Sequence, residues 1–411
     1  MITRVGTHFW TSVLALLGML TIPLPGKAAD IHVNTTADTN DGLCIPPFGC
    51  SLRDAVMIAN SNPGKDTIHL PVGVYSLTIS GPGGAEEGDL DISDDVDIEG
   101  SGASVTVIDG LSDDNVFQIP IVGALGYPLL QLFDLTIAGG SRGVWSQDAS
   151  LYLWRCVVEG ASLGGVVGSF TAILIVDSVI RENGSAGGFG GVRIAGADGF
   201  LWVLRSTIAD NMGDEFGGAS CSVDASATFT NATITGNSSF NGTSGGFDAL
   251  GCDVLITGST LAGNLQNDLD LGVHPTIRST VTVRNTYIGS QCPLGTANQV
   301  TSEGGNVGSV NCGLFHASDI DFAGGTAILL PLGDYGGYTP TMPPFGVGYN
   351  PLVDNPGADP NCLTEDQRGI SRPQDGGGVP IACDTGAVER THIFIDGFES
   401  GDTSAWSSTV H

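Results

Sequence analysis

Between Leu130 and Ile288 the apolar residues follow one phrase: two of them sit two positions apart, and a third follows the second by five. The copies read LLQLFDLTIAGG, LYLWRCVVEG, ILIVDSVIREN, LWVLRSTIADN, TFTNATITGN, VLITGSTLAGN and VTVRNTYIGS, with the third apolar residue at Ile137, Val158, Ile180, Ile208, Ile234, Leu261 and Ile288. These anchors lie 21, 22, 28, 26, 27 and 27 residues apart, the period of stacked-repeat proteins. Spacing by two marks a strand. The odd five-residue offset cannot keep all three residues on one face of a flat strand, so the chain turns a corner before each anchor.

Small residues stand two positions ahead of the anchors, at Ser178, Ser206, Ala232 and Ser259, and suit an interior corner. Coils open on Gly190-Gly191, Gly217-Gly218 and Gly245-Gly246, pairs that supply backbone conformations other residues resist. Asn183, Asn211, Asn237 and Asn264 each follow their anchor by three. Asn tolerates the left-handed conformation and stacks its amide between layers, so these four are predicted to form a structural ladder and not a ligand set. With no helical pattern between copies, equivalent strands pair in parallel, and the crossover preference makes the winding right-handed. Six intervals of about 4.8 Å give a rod of roughly 30 Å, and coils upstream from Thr67 extend it to about 50 Å. The predicted fold is all-β: a right-handed parallel β-helix with a short N-terminal capping helix and a disulfide-rich C-terminal cap.

A solenoid has open strand edges at its ends, and the flanks read as their covers. In CSLRDAVMIANSNPG, Ser51 stands as N-cap and Asp54 at the capping-box position, with Leu52, Ala55, Val56 and Ala59 on one apolar side and Pro63-Gly64 as the stop. Residues 1–28 read as a secretory signal, with Arg4, the apolar Val13 to Ile22 and the small-x-small site Gly26-Lys27-Ala28, so that the mature chain starts near Ala29. That apolar run is too short for a bilayer, which needs roughly 20 residues, and no later segment is longer. The expected organisation is then a signal at 1–28, an N-terminal cap at 29–66, coils at 67–290, final coils and a cap at 291–390, and a tail at 391–411.

Composition narrows the partners. Glycine is 62 of 411 residues, about twice the usual frequency of roughly 7%, which fits dense turns. Lys and Arg number 14 against 44 Asp and Glu, for a net charge of -30, and Lys27 and Lys65 are the only lysines. A nucleic-acid partner needs the cationic patch this chain lacks. Export permits disulfides, and the nine cysteines fall into local pairs: Cys44 with Cys50, Cys292 with Cys312, Cys362 with Cys383, and Cys221 with Cys252 in neighbouring coils. Cys156 is left over at a small apolar position of the repeat, where a buried thiol is expected. No CxxC or Cys/His cluster has zinc spacing.

The run Cys50-Ser51-Leu52-Arg53-Asp54-Ala55-Val56, continued by DTIHLPVGVYSLTI, resembles the N-terminal signature of CSLREA-domain proteins, with Asp54 in place of the usual Glu. Downstream, GGNVGSVNCG, LLPLGDYGGYTPT, DQRGISRP and CDTGAVE resemble the C-terminal region of choice-of-anchor Q domain proteins. Two departures stand out: Asp334-Tyr335-Gly336-Gly337 replaces an Asn-Gly-Gly type, and Thr341-Met342 replaces Thr-His. The resemblance implies an exported or surface-displayed bacterial protein built on a right-handed β-helix, with no defined catalytic set. The last segment, IFIDGFESGDTSAWS, resembles a short tail on many exported proteins of Gram-negative bacteria; it is either a sorting or attachment signal or an acidic, aromatic-capped disordered end.

For chemistry, the run Glu86, Glu87, Asp89, Asp91, Asp94, Asp95, Asp97 and Glu99 offers carboxylates for calcium, but lacks the Asp-x-Asp-x-Asp-Gly loop and its distal Glu; a solvated acidic surface is the alternative. No other cofactor is expected. A lyase needs a base such as Arg near a bound uronate; Arg181, Arg193 and Arg205 are available, and outer-face solvation is the competing role. Arg368 with Asp366 and Glu389 reads as a disulfide-pinned ion pair of the cap. His8, His32, His69, His274, His316, His392 and His411 form no HxH or HExxH group. The expectation is a non-enzymatic protein, extracellular or at the surface of a Gram-negative bacterium, presenting a long face to a polysaccharide or a surface protein. The alternative is a polysaccharide lyase or glycoside hydrolase. A groove holding two carboxylates would favour the enzyme, and exposed aromatics such as Trp145 or Trp202 on a polar face would favour binding.

Overall fold

A computed structural model describes residues 27–45, 48–111, 114–121, 127–242, 244–271, 278–290, 292–293, 299–322, 324–326, 328–345, 349–358, 362–374 and 381–390. The signal region, His8, His274, His392, His411 and the 391–411 tail lie outside the described residues. Nearly all the strands stack into three parallel sheets, two of eleven strands and one of eight. The fold is a right-handed parallel β-helix with a single described α-helix and four disulfides. The first sheet runs from Asp30–His32 to Gln299–Gly304, so coils extend past Thr67 on one side and past residue 290 on the other. The second runs from Gly73–Ser76 to Ile320–Asp321, and the third from Leu90–Asp91 to Leu269–Asp270.

All seven anchors share one register in the second sheet: Ile137, Val158, Ile180, Ile208, Ile234, Leu261 and Ile288 pair in succession. The two apolar residues ahead of each, such as Leu151 and Leu153 or Ile173 and Ile175, pair in the first sheet and point inward, fully buried. Between them lies the corner, made by a left-handed residue three positions before each anchor: Asp134, Arg155, Asp177, Arg205, Asn231, Gly258 and Asn285 all have φ between 46° and 53°. The small residue that follows closes it with a hydroxyl ladder. Cys156 N–H donates to Ser178 Oγ, Ser178 N–H to Ser206 Oγ and Ala232 N–H to Ser259 Oγ, at 3.0, 3.0 and 3.1 Å.

The Asn column lies inside the second corner. Asn183 Nδ2 donates to Asn211 Oδ1, Asn211 Nδ2 to Asn237 Oδ1 and Asn237 Nδ2 to Asn264 Oδ1, at 2.9 to 3.0 Å, and each oxygen also accepts a backbone N–H from the layer before. The left-handed conformation does not fall on these asparagines. It falls on the residue ahead of each, Glu182, Asp210, Gly236 and Gly263, which frees the Asn to direct its side chain inward. The glycine pairs also work differently from expectation: a Cβ on Gly191 or Gly218 would meet the next layer's carbonyl at 2.5 Å and an Asn amide at 2.8 or 2.9 Å. Close approach of layers to the ladder, more than φ, excludes a side chain there.

The helix Leu52–Ser61 covers the N-terminal end, with both arms of the Ser51–Asp54 capping box formed and Cys44–Cys50 closing the loop before it. Arg53 is fully buried. Its guanidinium grips Asp38 through Nε at 2.7 Å and Nη2 at 3.2 Å, and donates to the carbonyls of Ala85, Gly88 and Asp89. The run Cys50 to Asp54 is thus architectural throughout. Arg53 ties the cap to the first coils, while Ser51 and Asp54 hold the cap together through Thr39 and Gly42.

The C-terminal segment closes the rod from the side. Residues between 328 and 390 lie along the outer face of the second sheet, where Leu329, Met342 and Leu352 pack on Ala262, Tyr287 and Val307 as a second core. Met342 is a packing residue in this second core. Gln367 is buried between elements, donating to Thr207 Oγ1 at 2.8 Å and accepting from Thr233 Oγ1 at 2.6 Å. Arg368 pairs with Asp366 at 2.7 Å and Arg372 with Glu389 at 3.4 Å, all deeply buried. Asp366 and Glu389 also accept backbone N–H donors, so these groups hold the segment together.

Candidate functional site

The change of period from 22 to 28 residues after Ile180 has a structural counterpart. From Val158 the chain reaches the third sheet at Val166, but from Ile180, Ile208 and Ile234 it takes a longer path to the equivalent Val192, Ala219 and Phe247. The added residues build a wall beside the third sheet, joined by the short ribbon Met212–Gly213 with Ser238–Ser239 and by the Phe216–Ser244 bridge. Phe189, Glu215 and Phe216 come from this wall. The outward residues of the sheet beside it, in register from layer to layer, are Trp145, Val167, Arg193, Ser220, Asp248 and Asp270.

On this shelf two arginines stack on aromatics. The Arg142 guanidinium lies 5.2 Å from the Trp145 ring and 6.0 Å from Phe189, and Arg193 lies 4.6 Å from Phe189. Phe216 stacks behind Phe189 at 6.4 Å. Neither arginine forms an ion pair among the described residues, whereas Arg53, Arg155, Arg181, Arg205, Arg284, Arg368 and Arg372 each do. Arg142 reaches only Asn115 Oδ1, at 3.4 Å, and its buried Nε has no partner. Burial lowers the pKa of both guanidinium groups, with Glu215 pulling Arg193 the other way; both stay cationic at neutral pH. Both are partly desolvated cations with no contacting carboxylate among the described residues, although the Glu215 charge acts on Arg193 from the wall.

Further along the same face Asp248 and Asp270 are register partners one layer apart, which places their strands about 4.8 Å from each other. Burial, then the Asp270 and Glu215 charges, push the Asp248 carboxyl up to about 7. Between Arg193 and Asp248 sits Ser220, 1% exposed, whose hydroxyl has no hydrogen-bond partner. The shelf therefore carries two guanidinium groups stacked on aromatics at one end and a carboxyl raised to about 7 by burial at the other.

The other residues singled out from sequence lie elsewhere. Arg205 is bidentate to Asp177 at 2.8 Å, and Arg181 pairs with Glu159; neither is a free base, and neither is simply solvated. Arg193 alone of the three is on the shelf. Trp202 faces outward from the first sheet, in register with Tyr152 and Leu174, so it shares no platform with Trp145. The acidic run divides: Asp97 pairs with Lys65 at 2.9 Å, Glu99 stands 3.3 Å from His69, and Asp95 accepts the Leu129 N–H. Asp89 is buried against Asn115 Nδ2 at 2.9 Å, and burial, with Asp91 and Asp114 adding to it, raises it to about 7. Asp114 and Asn115 line a neighbouring cleft of about 390 Å³ with Leu77–Pro82. Cys156 is buried, and desolvation pushes its thiol up to about 12.

The cysteine pairs Cys44–Cys50, Cys221–Cys252, Cys292–Cys312 and Cys362–Cys383 are bonded, pointing to an oxidising, non-cytoplasmic setting. Among the described residues no helix is long and apolar enough to cross a membrane. Two arrangements escaped the sequence reading. Arg142, Phe189 and Arg193 converge only because two turns differ in length, and His32 and His69 stack across layers although no short motif links them. The repeated Ile-His of ADIHV and DTIHL was the visible signal for the second.

No protein-family model matches the chain, and no curated protein matches it. Among solved structures, the crystal structure of the pectate lyase Pel9A superposes over 89% of this chain and 98% of that chain, at 12% sequence identity and a TM-score of 0.46. At that distance no residue role or activity transfers.

Proposed function

We propose that this β-helix is an exported, non-enzymatic protein, surface-displayed or secreted, that binds an extended anionic polysaccharide along the outer face of its third sheet. The observation that carries the reading is the Arg142–Arg193 pair, stacked on Trp145 and Phe189 and without an ion-pair partner among the described residues, in a chain of net charge -30. Long-range repulsion does not outweigh this local attraction, because charges beyond about 8 Å are screened at physiological salt. The rings add flat apolar surface suited to a sugar face. Sequential layers present the same face repeatedly, which suits a polymer better than a small molecule.

A second reading is favoured by one observation: Asp248, which burial raises to about 7, is the register partner of Asp270. A carboxylic acid poised near neutrality next to a second carboxylate is the pairing that glycoside hydrolysis uses. Affinity electrophoresis of the purified chain through gels containing polygalacturonate, alginate or uncharged dextran, with reducing-end release followed in parallel, separates the readings. The binding account expects retardation by the uronate polymers alone, without chain cleavage. Cleavage abolished by Asp248→Asn with retardation kept, and without the unsaturated uronate product that a lyase leaves, would establish the hydrolase, and no retardation by either uronate would overturn the proposed ligand class.

A further inference from the structure

We infer that the N-terminal edge of the first sheet carries a binding site for a borderline divalent cation of the zinc class, held by Asp30, His32 and His69. The coil winding places Ile31 and Ile68 inward as register partners and leaves Asp30 and His32 outward on one strand with His69 on the next. One carboxylate oxygen and one nitrogen of each imidazole lie within 4.8 Å of one another. The two rings are stacked at 4.6 Å with 16° between planes. Asp30 faces both, in contact with His69 Nε2 and 3.9 Å from His32 Nε2. Donors around a tetrahedral zinc stand about 3.3 Å apart, a contraction that exposed side chains reach by rotamer adjustment.

Glu99 completes the arrangement from the third layer. Its Oε2 stands 3.3 Å from His69 Nδ1, and His69 and Glu99 are register partners. With a cation between His69 Nε2 and Asp30, the Glu99 carboxylate would accept the Nδ1–H and hold the ring, the outer-shell device that orients metal-bound histidines; without one, Nε2 and Asp30 share a hydrogen bond. Two imidazoles with one carboxylate suit zinc, copper or nickel and not calcium, which takes six to eight oxygens. Three protein atoms leave a fourth position open to solvent. A cation here would tie the edge strand Asp30–His32 to the second coil, so binding would add to the stability of the N-terminal end.

The test is calorimetric titration of zinc into the untagged full chain after chelator treatment. One equivalent is expected to bind, and cobalt in its place should show tetrahedral absorption. His69→Ala and His32→Ala should each abolish the one-equivalent step; all three ligand side chains are on the surface, and circular dichroism checks that the coil is retained. Glu99→Gln, which keeps every ligand, should weaken zinc by about tenfold. Zinc should raise the melting temperature of the parent chain and leave that of His69→Ala unchanged. Absence of the one-equivalent step, its persistence in His69→Ala, or octahedral cobalt spectra would overturn the site.

Discussion

Arg53 and Arg193 are both arginines drawn out of water, and they are set up in opposite ways. Arg53, under the N-terminal helix, has a bidentate carboxylate and three carbonyls around its guanidinium. Arg193, on the third-sheet shelf, has an aromatic ring below it and no ion-pair partner among the described residues. Desolvating a cation is tolerated where the fold itself supplies the compensating anion. Where the fold supplies no contacting carboxylate, as at Arg193 with only the Glu215 charge acting on it, an anion from outside can add to the compensation. The comparison separates a residue that builds the molecule from one that leaves a binding capacity unused.

The sharpest way to break that contrast is to remove each arginine. Arg53→Ala strands Asp38 and three buried carbonyls, so denaturant unfolding should show a loss of about 3–5 kcal/mol; Arg193→Ala loses only a ring contact, about 1 kcal/mol at most. Equal losses would erase the distinction. Next in size is the ladder: Asn237→Ala takes the acceptor from the Asn211 backbone N–H, one of two acceptors from the Asn211 side-chain amide and one donor from the Ile208 carbonyl, for an expected loss of about 2–3 kcal/mol in the same assay. On the shelf the effect moves to binding, where Arg193→Ala should weaken retention on a uronate polymer at least tenfold, about 1.4 kcal/mol.

The last expected effect is in pH dependence. Asp89, Asp248 and Asp384 are all raised to about 7, chiefly by burial, from an unfolded value of about 3.9. The folded chain therefore holds more protons than the unfolded one between these values. The contribution of these groups to stability is full below about pH 4 and is lost as pH climbs through 7. Asp248→Asn should flatten part of that decline in melting temperature measured from pH 4 to 8. A decline as steep as the parent's would mean that Asp248 is ionised in the native chain.

The repeat was readable because it obeys two local rules, alternation along a strand and an odd offset at a corner, and both recur in every coil. The capping helix was readable from Ser51 and Asp54 for the same reason. The asparagines were placed correctly, but the left-handed position was assigned one residue late. Asn preference for that conformation and Asn capacity for ladders point to the same residue type, and only the backbone separates them. The lateral packing of the C-terminal segment was hidden, since Thr233 and Gln367 meet across 134 residues, and the chain after Ile288 carries no repeat to place it. Arg193 was noted among the candidates, yet its neighbours Arg142 and Phe189 were not, because their convergence depends on turn lengths that vary between coils. Asp248 and Asp270 carry no spacing signal either, as one strand face shows an isolated Asp in each.

The measurement closest to the central claim is an equilibrium titration of a uronate oligosaccharide, long enough to span several layers, into the parent chain and into the Arg142→Ala/Arg193→Ala double variant. The account predicts saturable, salt-sensitive binding by the parent and loss of at least tenfold in affinity by the double variant, with the melting temperature nearly unchanged. Equal affinities for the two proteins would contradict it, and would show that the shelf arginines are part of the scaffold after all.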